Sequence, residues 1–312
     1  MLRLLILMLP AAAVAAEPKV RTFRFSYEAT ITGLKPGERA HVWLPIPPTT
    51  DDQKLVGEPA TDFTAPFERH KETGFGNEMY HLTPRARDDG TIPLRVVYDI
   101  ERREVLGSTD GGVHDDPKYL RPDPLAPADG KHLKLIEGKK LPGDSMAKGR
   151  EFYDLVNGIM KYSKAGTEWG RGDVNWVCDS RFGNCTDFHS LFLALCRSQK
   201  IPGRFEVGFG IPEKRGTGEV AGYHCWAKFK ARDRGWVPVD ISEANKHPTR
   251  ADYYFGNLTA DRVTFSTGRG LTLEPKQAGP PLNFFVYPYV EVGGKPYPAD
   301  QVRRKFGYED LK

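Results

Sequence analysis

What the chain lacks narrows it first. After its opening segment no stretch is long and apolar enough to span a bilayer, which takes roughly 20 residues. Cysteine is scarce, with 4 in 312 residues, too few for a small disulfide scaffold. No Cys-x-x-Cys pair occurs, so the usual zinc-ribbon and thioredoxin signatures are missing. Neither sign of charge dominates: the net charge is +4, or +3 without Arg3, and no basic block occurs, so nucleic acid is not an expected partner. Internal repeats and low-complexity tracts are also absent. Glycine and proline are plentiful instead, at 32 and 25 residues, which predicts many turns and long ordered loops.

Residues 1–16 read as a signal peptide. Arg3 gives a positive start, Leu4 to Val14 is apolar, and Val14-Ala15-Ala16 offers a small-residue cleavage site before Glu17. The expectation is an exported protein, periplasmic or secreted, with no membrane span in the mature chain; an uncleaved anchor is the alternative. Oligomeric state is left open.

Residues 17–107 read as a β domain. Phe23, Phe25, Tyr27, Ala29 and Ile31 alternate with polar residues, the period of a half-buried strand, and Val42, Leu44, Ile46 and Leu94, Val96, Tyr98, Ile100 repeat the theme. A small β-sandwich is the natural arrangement. Residues 108–144 form a proline-rich connector. Residues 145–312 form a second unit with a C-terminal β extension, opening with a helix from Ser145 to about Tyr162 whose apolar face is Phe152, Leu155, Val156 and Ile159. A second helix starts after Asn184, a plausible N-cap, with Asp187 three residues on as a short capping box. Strands are predicted over 205–211, 223–230, 236–241 and, in the tail, 271–273, with a hairpin at Gly293-Gly294.

Cys185 falls at the first helical position, where free backbone N–H groups and a partial positive charge favour thiolate and can receive an oxyanion. By position alone a buried core cysteine is equally well supported. His224, Trp226 and Lys228 share one strand face, with Tyr223, Cys225, Ala227 and Phe229 on the other. A hairpin turn centred on Arg232 would set 224 opposite 240, with Cβ atoms roughly 5 Å apart. Asp240 would then accept the Nδ1 proton of His224 and leave Nε2 to the sulfur. His189, one helical turn after Cys185, reads as a hydrogen-bonded structural histidine, and Arg204 and Asp187 as ion-pair or capping groups. A zinc site from Cys185, His189, His224 and Cys225 is disfavoured because strand alternation points Cys225 away from His224; no metal and no cofactor are expected.

The run Gly183-Asn184-Cys185-Thr186-Asp187-Phe188-His189, then Ile201-Pro202-Gly203-Arg204, His224-Cys225-Trp226 and Trp236-Val237-Pro238-Val239-Asp240, resembles the signature of the transglutaminase-like superfamily over roughly residues 145–245. The resemblance implies an α+β fold: a papain-like core, its cysteine helix packed on an antiparallel sheet, preceded by a β domain as in exported bacterial members. It also implies a Cys185–His224–Asp240 triad. Tyr162, Trp169 and Trp226 are aromatic candidates for assisting the oxyanion or touching substrate.

The expected chemistry is acyl transfer through a thioester on a peptide or cell-envelope amide, with water resolving it in a cysteine protease or amidase and an amine resolving it in a transglutaminase. Hydrolysis is favoured. The alternative is a non-catalytic envelope protein that keeps the fold and uses the cleft for ligand capture.

Overall fold

The computed structural model describes residues 17–108, 117–232 and 234–311. The expected leader, residues 1–16, lies outside the described residues. The alternating run after it forms strand Val20–Ile31, with Phe23, Phe25, Tyr27, Ala29 and Ile31 all buried. It pairs antiparallel with Ile92–Arg103 on one side and with Val302–Asp310 on the other. The short strands Gln53–Leu55, Ala60–Asp62 and Thr217–Glu219 complete this first sheet. A second sheet runs in the order Lys295–Pro296, Tyr289–Val292, Ala40–Ile46, Glu78–Leu82, Phe67–Lys71. The two sheets share a core, and the Tyr98 hydroxyl donates across it to the Pro45 carbonyl at 3.3 Å.

The sandwich is therefore not closed by residues 17–107 alone. Strands 289–292 and 302–310, which sequence places with the second unit, hydrogen-bond to the second sheet and the first, respectively. The hairpin at Gly293-Gly294 is present, both residues having positive φ (59° and 72°), as a tight turn requires. The expected 271–273 stretch forms no strand; Leu271 makes a single bridge to Leu282.

The second unit is built on helix α1 (Ser145–Ile159), α2 (Val174–Ser180), α3 (Cys185–Ser198) and α4 (Ile241–Lys246), set around a four-stranded antiparallel sheet. Helix α1 is capped by Asp144, whose carboxylate accepts from Ala147 N at 2.9 Å. It stops three residues short of Tyr162, because Lys161–Tyr162 pair in parallel with Phe182–Gly183. Gly149 on α1 lets the Phe229 ring come close: a Cβ there would sit 2.4 Å from it. Helix α2 was not expected; it is only seven residues long, and its cap, Asp173, accepts from Asn175 N and Trp176 N.

The sheet order is Gly235–Val239, Tyr223–Ala231, Gly203–Gly210, Arg262–Thr267. One face, with Phe205, Val207, Cys225, Ala227 and Phe229, packs on α3, where the Phe192 and Phe229 rings meet at 5.7 Å. Burying one such phenyl stabilises by roughly 2–3 kcal/mol. The other face is ionic. Glu206, Trp226 and Lys228 are buried there against Asp52 and Arg102 of the sandwich: Lys228 Nζ lies 3.2 Å from Asp52 Oδ2, and Arg102 Nη2 lies 3.1 Å from the same oxygen.

The register corrects one expectation. Ala231 faces Gly235 and Ala227 faces Val239, not Val237 as a turn centred on Arg232 requires. Gly235, at φ 80°, takes the left-handed conformation that admits the extra residue. The strand ends at Val239, and residues 241–246, of which only Ile241 was assigned to it, begin a helix. Asp240 is thus not a strand residue opposite His224.

Candidate active site

Asn184 ends the loop before α3 in extended conformation, and its side-chain oxygen accepts from Thr186 N at 2.9 Å. Asp187 returns the bond, accepting from Asn184 N at 2.9 Å, and also takes Gly170 N at 2.6 Å and Gly172 N at 2.9 Å. Asp187 thereby ties the 170–172 loop to the helix start. None of these cap bonds uses the N–H of Cys185 itself, whose thiol sits at the first helical position, 2% exposed.

His224 projects from the second residue of strand Tyr223–Ala231, and Asp240 reaches it as the N-cap of α4. Nε2 of His224 lies 2.7 Å from Asp240 Oδ2. The nitrogens have exchanged their expected roles: Nε2–H donates to the carboxylate, which leaves Nδ1 for the sulfur. This follows from approach off a helix end and not across a ladder. Asp240 is 0% exposed and fully engaged: Oδ1 accepts from Ser242 Oγ and Glu243 N, each at 3.1 Å, and Oδ2 accepts from Arg262 Nη1 at 3.2 Å.

Charges complete the picture. Burial works against ionising Cys185, yet hydrogen bonds from Cys225 and His224, with the charge of His224, bring its thiol well below the ordinary 9.0. Burial likewise opposes a charged His224, but Asp240 and the Cys185 thiolate lift the imidazole to about 10. For Asp240 burial is again outweighed, here by His224 and Arg262, and its carboxyl is depressed. Both shifts act in the same direction, towards a thiolate beside an imidazolium.

The other sequence candidates are dispersed. Tyr162 lines the cleft with Tyr223, His224, Glu243 and Lys246, a cavity of about 270 Å³. Trp169 spends its indole N–H on the Gly166 carbonyl at 2.9 Å. Trp226 is 0% exposed on the ionic face, with its N–H on Glu206 at 2.6 Å, so it cannot touch substrate. His189 accepts from Ile241 N at Nε2 (3.0 Å), which puts its proton on Nδ1, facing Cys225 Sγ at 3.8 Å. Burial lowers its pKa, so it is a neutral brace between α3 and α4. Cys225 points to this side and His224 to the cleft. All four cysteines are free.

Arg262 was missed. Its guanidinium lies 4.7 Å from the Trp226 ring centre and hydrogen-bonds Asp240, linking the Asp240 carboxylate to the ionic face. No motif marks it, since it enters from a strand 22 positions later.

The transglutaminase-like core model matches residues 135–241, a span holding Cys185, His224 and Asp240. An uncharacterized protein of Haemophilus influenzae is 34% identical over 260 residues, covering 73% of this chain and 67% of that protein. The chain belongs to the transglutaminase-like superfamily. Its fold is similar to that of a Cytophaga hutchinsonii protein described as a candidate cysteine protease, with a TM-score of 0.57 at 16% identity, covering 94% of this chain and 98% of that one. In this superfamily member the α+β architecture thus extends through the sandwich as well as the core.

Proposed function

We propose that Cys185, His224 and Asp240 form the catalytic triad of a thiol-dependent acyl-transfer enzyme that hydrolyses a peptide or cell-envelope amide. The observation that carries the reading is the 2.7 Å contact of His224 with a fully buried Asp240, beside a thiol at a helix N-terminus. The Cys185 thiolate attacks the amide carbon, and the carbonyl oxygen becomes an oxyanion held by the Cys185 N–H. Imidazolium Nδ1–H protonates the departing amine, leaving a thioester and neutral His224. His224 then takes a proton from water, hydroxide adds to the thioester, and the thiolate leaves. Asp240 stays ionised throughout and fixes the ring. Hydrolysis is preferred over transfer to an amine because water is abundant in the exported setting that residues 1–16 suggest.

The deciding experiment is turnover of peptide and envelope-derived amides by the protein and by Cys185→Ala. Release of amine and carboxylate that vanishes in the variant is the expected outcome. Ligand binding without turnover, and no selective alkylation of Cys185 at neutral pH, would replace the enzyme by a binding protein. Export is tested separately: intact mass from the native host should begin near Glu17, and a full-length cytoplasmic species would refute it.

A further inference from the structure

Strand Val302–Asp310 is covered along one edge by Val20–Ile31 over its whole length, from Phe23↔Asp310 to Ile31↔Val302. Its other edge is covered only at one end, by the three residues Thr217–Glu219 opposite 307–309. Asp310 N donates to Gly216 O at 2.8 Å and Phe306 O accepts from Val220 N at 3.0 Å, so the even-numbered residues turn their backbone groups to this side. Arg304 is the next in that series. Among the described residues no strand lies against it there.

A cavity of about 540 Å³ occupies the place of the absent strand, lined by Val220, Tyr287 and residues 302–306 among others. Its wall at Ala221 and Gly222 is also the wall of the cleft that holds Tyr162 and His224, so the two spaces adjoin. Four steps along the chain lead from Val220 to His224, a reach of at most about 14 Å. The Tyr287 hydroxyl accepts from Tyr223 N at 3.1 Å, which fixes that wall in place. Charge at the groove is positive. Arg303, Arg304 and Lys305 are exposed, the Arg304 guanidinium lies 4.1 Å from the Tyr287 ring centre, and the acidic lining residue, Glu219, is ion-paired with Lys305 at 3.7 Å.

We propose that this groove docks the substrate chain: an extended acidic peptide that adds as a strand beside Arg304, places its carboxylates on Arg303 and Arg304, and passes over Ala221-Gly222 to present its amide to Cys185. An open strand edge gives affinity through main-chain hydrogen bonds, and flanking cations give the preference for acidic side chains. The inference rests on the triad reading for the last step only.

The test uses the full chain with Cys185→Ala, so that binding is read without turnover. An acetylated hexapeptide carrying two glutamates is compared with its glutamine isostere by calorimetry, at low and high salt. The glutamate peptide should bind roughly tenfold more tightly, lose that advantage in salt, and lose it in Arg303→Gln/Arg304→Gln. Hydrogen exchange at the Arg304 amide should slow in the complex, which charge attraction alone would not produce. Equal affinity for the two peptides, or unchanged exchange at Arg304, overturns the groove. Turnover keeps the two ideas apart: an active enzyme indifferent to Arg303→Gln/Arg304→Gln removes the groove and leaves the triad. A chain that binds the acidic peptide as described but cleaves nothing removes the triad and leaves the groove.

Discussion

The two ends of helix α3 carry the same side chain in opposite states. Cys185 at the N-terminus and Cys196 near the C-terminus are both buried, at 2% and 0% exposure. Burial pushes the Cys196 thiol far up, relieved only weakly by the charge of Arg197. At Cys185 the same burial is overruled by His224, by Cys225 and by the helix end. Burial sets no chemical identity of its own here; what shares the buried space does.

Removing the imidazole should break this contrast most completely. His224→Ala is expected to lower turnover by roughly 10⁴- to 10⁶-fold and to slow alkylation of Cys185 at pH 7 towards that of Cys196, read cysteine by cysteine in a mass-spectrometric rate profile. Asp240→Asn keeps the shape and removes the charge. It should cost roughly 10- to 10⁴-fold in turnover, less than Cys185→Ala, and move the alkylation midpoint to more basic pH. A variant with unchanged turnover and midpoint would remove Asp240 from the mechanism.

Stability against pH sharpens the comparison without a substrate. The His224 pKa is raised from 6.5 to about 10, so its contribution is complete below 6.5 and is lost as pH climbs to 10. The Cys185 pKa is lowered from 9.0, so its contribution grows with pH and is complete above 9. Below pH 9 the Cys185 slope opposes that of His224, and above pH 9 the His224 slope acts alone. Urea unfolding should therefore show a steeper loss of stability between pH 9 and 10 than below pH 9, whereas Cys185→Ala, which lacks the opposing slope, should weaken across the whole range above pH 6.5. Two smaller effects follow. Arg262→Met strips one partner from a buried carboxylate and should cost about 2–3 kcal/mol in the same assay. Asn184→Ala removes the helix cap and should cost about 1 kcal/mol, with a small basic shift of the Cys185 midpoint.

Much of the site was legible because its determinants are local. Asn184 and Asp187 announce the helix start, and strand alternation separates His224 from Cys225. The misses are tertiary. The turn centre depends on the positive φ of Gly235, and moving it one place puts Asp240 on a helix end, which in turn chooses Nε2. Trp226 shares the His224 face in sequence, but the sandwich covers that part of the face, and no residue near Trp226 records this. Strands 289–292 and 302–310 look like a tail until their pairing with the sandwich is known.

That pairing has a consequence for assembly. Arg21 and Asp310, joined at 2.7 Å, are 289 positions apart. Contacts of such separation make folding slow, because a very long loop must close before they contribute. Until strand Val302–Asp310 has docked, the edge of Val20–Ile31 is open, and an open edge pairs with whatever strand reaches it first. The step most exposed to misassembly thus lies far from the chemistry, and truncation before residue 302 should yield an aggregating chain with an intact Cys185 motif.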